Sequence, residues 1–171
     1  MWNLIGTAAA SILGIVAVAA ALASGADFLS NSRANDLSRL SAEMSQKVYQ
    51  MFSMRPGIFG AEVIADTLIV NNNLAPADFV DATNVTLVNG YAGDITVTGV
   101  GPRLHVDHDG VPQEACVEVL KNLGSGRGFE TVGVASSIGG LSGVTAQTLP
   151  ITDPSALCTT DPIAIRFTFR Y

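Results

Sequence analysis

The sequence predicts an α+β fold in which a long N-terminal helix packs on an antiparallel sheet. Three observations predict it. An uncharged apolar stretch over residues 1–26 runs directly into an amphipathic segment. The C-terminus alternates, with Ile163, Ile165, Phe167, Phe169 and Tyr171 on one side and Arg166, Thr168 and Arg170 on the other, which is the period of a strand. Between these ends, helix and strand patterns are separated by Gly, Pro and Asn turns. The 171 residues suit a single compact domain added to the helix.

Residues 1–26 are long enough to span a bilayer, which takes roughly 20 apolar residues as a helix. Gly6, Ala10, Gly14, Ala17 and Ala21 recur at steps of three and four, so they share one helix face. A face of small residues lets another helix approach closely, and such packing replaces the hydrophobic drive that lipid removes. The expectation is a helix first stored in a membrane and later packed against other helices. Three plainer readings compete. Ala21-Leu22-Ala23 before Ser24 resembles a signal-peptide cleavage site, but no basic residue precedes Arg33. A single-pass anchor does not need the small-residue stripe and usually carries basic flanks. A buried core helix is the third.

From Asp27 onward Leu37, Leu40, Met44, Val48 and Met51 recur at helical spacing, with Arg39, Glu43, Gln46 and Lys47 off the stripe. One helix from near residue 3 to near Ser53 follows, apolar all round in 1–26 and amphipathic in 27–54. Ala23 to Asn35 is rich in poor helix formers, and Gly14 and Gly25 are candidate points of unwinding. Arg55-Pro56-Gly57 ends the helix and opens a head spanning 55–171. Ala61, Ile64, Ala65 and Leu68 predict a short helix that frays at Asn71-Asn72-Asn73. Leu74 to Val80 reads as a connection and Asn89-Gly90 as a turn. Ile95–Val100 and Arg103–Val106 predict a hairpin turning at Gly101 and Pro102. The next helix follows Asp109 and Gly110, with Pro112 in its first turn, Glu114 as an early acid, Lys121 late and Gly124 as its stop. Its inner face is Cys116, Val119, Leu120 and Leu123. Phe129–Ala135 predicts a strand, and 136–156 a surface loop.

Charge excludes one class of partner. The formal net charge is −6, so direct nucleic-acid binding, which needs a basic face, is not expected. Cys116 and Cys158 are not in a CxxC pair, so neither a redox motif nor a zinc half-site is indicated. With an export-type N-terminus, an even cysteine count suggests one disulfide, two buried free thiols being the alternative.

Several stretches together resemble the type IV pilins, and within them the type IVb, PilS-like group. They are the apolar helix continued by an amphipathic one, Leu74-Ala75-Pro76-Ala77-Asp78-Phe79, Leu87 to Ile95 entering the sheet, Pro112-Gln113-Glu114-Ala115-Cys116, and Leu157-Cys158 ahead of the Ile-x-Phe-x-Phe strand. The resemblance covers nearly the whole chain and implies a Cys116–Cys158 disulfide. It implies a prepilin cut by a prepilin peptidase, an inner-membrane pool, and polymerisation by the pilus assembly machinery into a homo-oligomeric helical filament at the cell surface. The use implied is adhesion or conjugative mating contact. One departure stands out: the family's acidic fifth residue is absent, position 5 being Ile5, or Gly6 if the mature chain starts at Trp2. Trp2 and Asn3, with the stripe Gly6, Ala10, Gly14, Ala17 and Ala21, are then the residues expected to set subunit packing.

No catalytic residue, metal ligand set or cofactor is assigned. His105-Val106-Asp107-His108-Asp109 is the one cluster with chemical potential, because His105 and Asp107 share a strand face. Its plainer reading is a strand end and an acidic turn. Asn84-Val85-Thr86 is a formal glycosylation sequon. The reading is therefore a structural subunit rather than an enzyme, with a minor pilin, a secretion pseudopilin or a membrane-anchored periplasmic binding domain as alternatives.

Overall fold

The computed structural model describes residues 32–53, 62–123 and 128–171. The chain divides into two units, Met1–Ser32 and Arg33–Tyr171, and the fold is that of the second. Trp2, Asn3, the stripe from Gly6 to Ala21, and both unwinding candidates lie outside the described residues. Among the described residues no helix is long and apolar enough to cross a membrane.

Helix α1 occupies 32–53. Leu37, Leu40, Met44 and Val48 are buried along it, as their spacing requires. Met51, read as part of the same stripe, is more than a third exposed because it sits in the last turn. The buried face also contains Ser38, Ser41 and Ser45. Serine is a middling helix former, and a buried hydroxyl needs a partner. Here each donates back along the helix: Ser38 to the Asn35 carbonyl, Ser41 to Leu37 and Ser45 to Ala42. That satisfies the hydroxyls and leaves a face low enough for close packing. On the solvent side Arg39 pairs with Asp36 at 2.9 Å and Lys47 with Glu43 at 2.8 Å, contacts worth about 0.3–0.5 kcal/mol each on a helix surface.

A six-stranded antiparallel sheet is ordered β1-β4-β5-β8-β6-β7. Its strands are β1 (Glu62–Ile64), β4 (Ile95–Val100), β5 (Arg103–Val111), β6 (Phe129–Ala135), β7 (Gln147–Thr148) and β8 (Ile163–Arg170). A two-stranded ribbon, β2 (Val80–Asp81) with β3 (Thr86–Leu87), stands apart from it. Hairpin β4–β5 closes with Val100 opposite Arg103, leaving a two-residue turn. Gly101 takes φ 57° there, a left-handed value glycine adopts without steric cost. Strand β8 lies between β5 and β6, so Ile163, Ile165, Phe167 and Phe169 are all buried on the inner face, as the alternation predicts.

Four local expectations are corrected. Glu62–Ile64 is a strand paired with β4, and helix α2 is Asp66–Asn71, so Ile64, Ala65 and Leu68 do not share a helix face; Ile69 is the buried residue of α2. Ala61 lies outside the described residues. The apolar spacing there matched a helix, but three residues on the sheet edge pair with Val97, Thr98 and Gly99 instead. The connection from Leu74 to Val80 contains a 3-10 turn at Ala77–Phe79 that buries Phe79. Strand β5 does not end near Val106: it continues through His108, bulges, and reaches Val111. The stretch 136–156 is not all loop, holding a 3-10 turn at Ile138–Gly143, β7, and the start of α4 (Pro154–Leu157).

Helix α3 is Gln113–Asn122, with Ala115, Cys116, Val119 and Leu120 buried and Leu123 buried just beyond it. Cys116 is joined to Cys158, which follows α4 and precedes β8, with Cα atoms 6.0 Å apart. Gln113 adds a hydrogen bond from its side-chain amide to the Cys158 carbonyl at 2.7 Å. The disulfide thus clamps α3 to the approach to the central strand.

Candidate functional site

The cluster from His105 to Asp109 separates onto two faces of β5, because successive strand residues point to opposite sides. His108 faces inward and is fully buried. Its Nε2 lies 2.7 Å from Ser41 Oγ on α1, and its ring meets Phe79 and Phe167 edge-on at centroid distances of 5.4 and 5.5 Å. Burial depresses its pKa to about 3, so it is neutral. At the C-terminus, Tyr171 donates from its hydroxyl to Ser45 Oγ at 2.7 Å and stacks on Tyr49 at 4.1 Å. Two serines of α1 therefore tie the helix to β5 and to the residue that follows β8. Spacing hid this: Ser38, Ser41 and Ser45 interleave with the leucine stripe at three- and four-residue steps, a polar series inside an apolar face.

Asp107 faces outward yet is buried, because Arg166 on β8 lies against it. The guanidinium donates from Nε and Nη2 to the two carboxylate oxygens at 2.7 and 2.6 Å, and from Nη1 to the Leu141 carbonyl at 3.3 Å. The hydrogen bond to Asp107 holds the Arg166 pKa above its ordinary value. This pair fastens the 3-10 turn Ile138–Gly143 over the sheet and leaves Asp107 no free oxygen for a metal. Among the described residues no group of three or more His, Cys, Asp or Glu side chains is placed to hold a metal ion.

On the same outer face, one row crosses the sheet: Val63, Thr98, His105, Thr168, Thr131 and Thr148 stand opposite one another on successive strands. Beside it Glu130 is the extra residue where the β6–β8 register shifts. Bulges re-aim side chains, and this one brings Glu130 to Arg103 at 2.6 and 3.0 Å, with Arg170 3.7 Å away. A groove of about 350 Å³ lies over this row, walled by Val100 and Arg103 on one side and Leu141 to Ala146 on the other. His105 on its floor has a lowered pKa, through burial first and the Arg166 charge second.

A second groove, about 640 Å³, runs along α1 beside Arg39, Glu43 and Lys47 and is closed by Ala75 to Asp78. The sequon residue Asn84 is exposed at the β2–β3 tip, donating from its amide to Asp81 at 2.8 Å. The disulfide residues Cys116 and Cys158 are brought together; the proposed packing residues lie outside the described part of the chain.

The sequence model of the family described as PilS N terminal matches residues 34–169. Several solved structures share the fold, two pilins among them. The crystal structure of a type IVb pilin from Salmonella typhi is 17% identical, with 78% of this chain and 98% of that one covered and a TM-score of 0.51. The crystal structure of TcpA, a type IV pilin from the Vibrio cholerae El Tor biotype, is 11% identical, with 80% and 98% covered and a TM-score of 0.55. None of the curated proteins matches the sequence.

Proposed function

We propose that this chain, which belongs to the PilS family and has the type IV pilin fold, is the major structural subunit of a type IVb pilus. The observation that carries the reading is the family match from residue 34 to residue 169, which runs from α1 into β8. Residues 1–26 are the polymerisation element: an inner-membrane helix first, then part of a filament core. The small residues Gly6, Ala10, Gly14, Ala17 and Ala21 provide the face on which neighbouring copies meet. Trp2 and Asn3 contribute to the packing of neighbouring copies beside that face. A prepilin peptidase and the assembly machinery are the partners, and the filament serves surface contact in adhesion or conjugative mating. The paired Asp107 and the buried, neutral His108 support a structural role rather than an enzymatic one.

Sheared surface filaments, imaged and analysed by mass spectrometry, test this. The chain is expected as the main filament component, and its deletion is expected to leave cells bald. Filaments that persist without it would make it a minor pilin or a pseudopilin. Its absence from every sheared fraction would leave a membrane-anchored periplasmic domain.

A further inference from the structure

The outer-face groove has the makings of a ligand site. Its charge is unlike that of the chain. The whole sequence carries −6, yet Arg103 and Arg166 line the groove against only two carboxylates, and Arg170 stands just outside the lining at 3.7 Å from Glu130. Both carboxylates are already occupied. Asp107 is buried under Arg166, and Glu130 is shared between Arg103 and Arg170. The remaining hydrogen-bonding capacity is mostly donor: the second terminal nitrogen of Arg103, the loosely held guanidinium of Arg170, the ring of His105, and the hydroxyls of Thr131 and Thr168. An arginine already oriented by a carboxylate loses little freedom when it binds a second oxyanion.

The floor is also shaped. Gly133, in the middle of β6, faces the groove between Leu141 and Val144, and a Cβ there would rest about 3.7 Å from Val144 and from the Arg166 Cβ. Glycine inside a strand weakens it and often marks a place of close approach. At about 350 Å³ the space is at the small end for ligand sites. Donors for an oxyanion, hydroxyls beside them, and a short apolar wall at Leu141 and Val144 together match one unit of an acidic saccharide.

We propose that this groove binds an acidic sugar unit, its carboxylate or sulfate at Arg103 and its hydroxyls over His105, Thr131 and Thr168. The inference does not rest on filament formation, so it is tested on the full chain in detergent. Binding of glucuronate, N-acetylneuraminate, glucose 6-sulfate, glucose and inorganic sulfate is measured by calorimetry and saturation-transfer NMR. Saturable binding in the millimolar range is expected for acidic sugars, roughly tenfold stronger than for glucose, the factor one charged hydrogen bond supplies. A preference for the carboxylates or for the sulfated sugar identifies which oxyanion the site takes. Gly133→Val, which fills the floor, is expected to weaken binding by about tenfold or more, and Arg103→Gln to remove the preference for acid over glucose. If Gly133→Val does not fold, His105→Phe serves in its place. Equal affinity for glucose and glucuronate, sulfate alone binding as well as the acidic sugars, no saturable binding, or undiminished binding after the groove is filled would each overturn the proposal.

Discussion

His108 Nε2 and Ser41 Oγ lie 2.7 Å apart, and the bond between them has one consistent direction. The Ser41 hydroxyl has a single hydrogen, and it goes to the Leu37 carbonyl one turn back. Ser41 therefore accepts, His108 donates from Nε2, and the unprotonated nitrogen is Nδ1. That atom is buried and has no hydrogen-bond partner among the described residues. A bare acceptor there is tolerable. A second N–H carrying a positive charge, held between Phe79 and Phe167, is not.

Acid is thus expected to weaken the head through His108. With a folded pKa of about 3 against an ordinary 6.5, the unfolded chain binds more protons between those values. Stability is fully present above pH 6.5 and is lost as pH falls toward 3, by up to about 1.4 kcal/mol per pH unit. Urea titrations of the wild-type chain and His108→Leu at pH 7 and pH 4.5 isolate this contribution from that of the carboxylates. The variant is expected to lose markedly less stability on acidification; parallel losses would count against the assignment.

Arg166→Met is expected to cost about 3 kcal/mol, because it strands the Asp107 carboxylate under the turn at Ile138–Gly143. The double variant Arg166→Met/Asp107→Leu should recover most of that loss, since an apolar pair of similar volume often replaces a buried ion pair without penalty. Denaturant midpoints of the three proteins check this.

Gly93→Ala is expected to destabilise by more than about 3 kcal/mol, as overpacking against backbone does. Its Cβ would stand 1.9 Å from the Asp109 carbonyl oxygen, where the chain bulges and where Asn89 donates at 2.7 Å. Gly143→Ala meets nothing within 4 Å and serves as the control, expected to be near neutral. Thermal midpoints of the two variants should differ clearly.

Opening the Cys116–Cys158 bond in a Cys116→Ala/Cys158→Ala variant is expected to cost about 4 kcal/mol in the chain-entropy view for a loop of this length. Unfolding of that variant should match unfolding of the wild-type chain under reducing conditions.

Gly14→Leu tests the packing stripe. It is expected to block filament assembly while the head keeps its disulfide and its protease resistance. Normal filaments from that variant would show that the stripe is not a contact surface.

Legibility of the fold in the sequence followed the length and regularity of each element. The eight-residue alternation of β8 and the punctuated helix α3 were readable because pattern and burial agree over many residues. The three residues of β1 were not, since Ile64, Ala65 and Leu68 satisfy helical spacing equally well and only the partner β4 decides between them. Period two placed His105 with Asp107 and set His108 apart, but not what each would meet. Arg166 is 59 residues from Asp107, and Ser41 is 67 residues from His108. Those pairings belong to the sheet order and the docking of α1, which no local pattern encodes. The outer groove was still less visible, because its wall comes from a stretch whose composition reads as loop.

The bond between Tyr171 and Ser45 joins positions 126 residues apart, and it sets an order of events. A chain emerging N-terminus first presents α1 early, while the tyrosine that secures it follows 126 residues later. Until then the stripe from Leu37 to Val48 has no complete surface to lie on. Closing so distant a contact costs entropy that rises with the logarithm of the chain gathered, and folds rich in such non-local contacts form slowly. The head is therefore a structure whose α1 is latched at Ser45 only once residue 171 is in place, and Tyr171→Ala would leave that helix unlatched there.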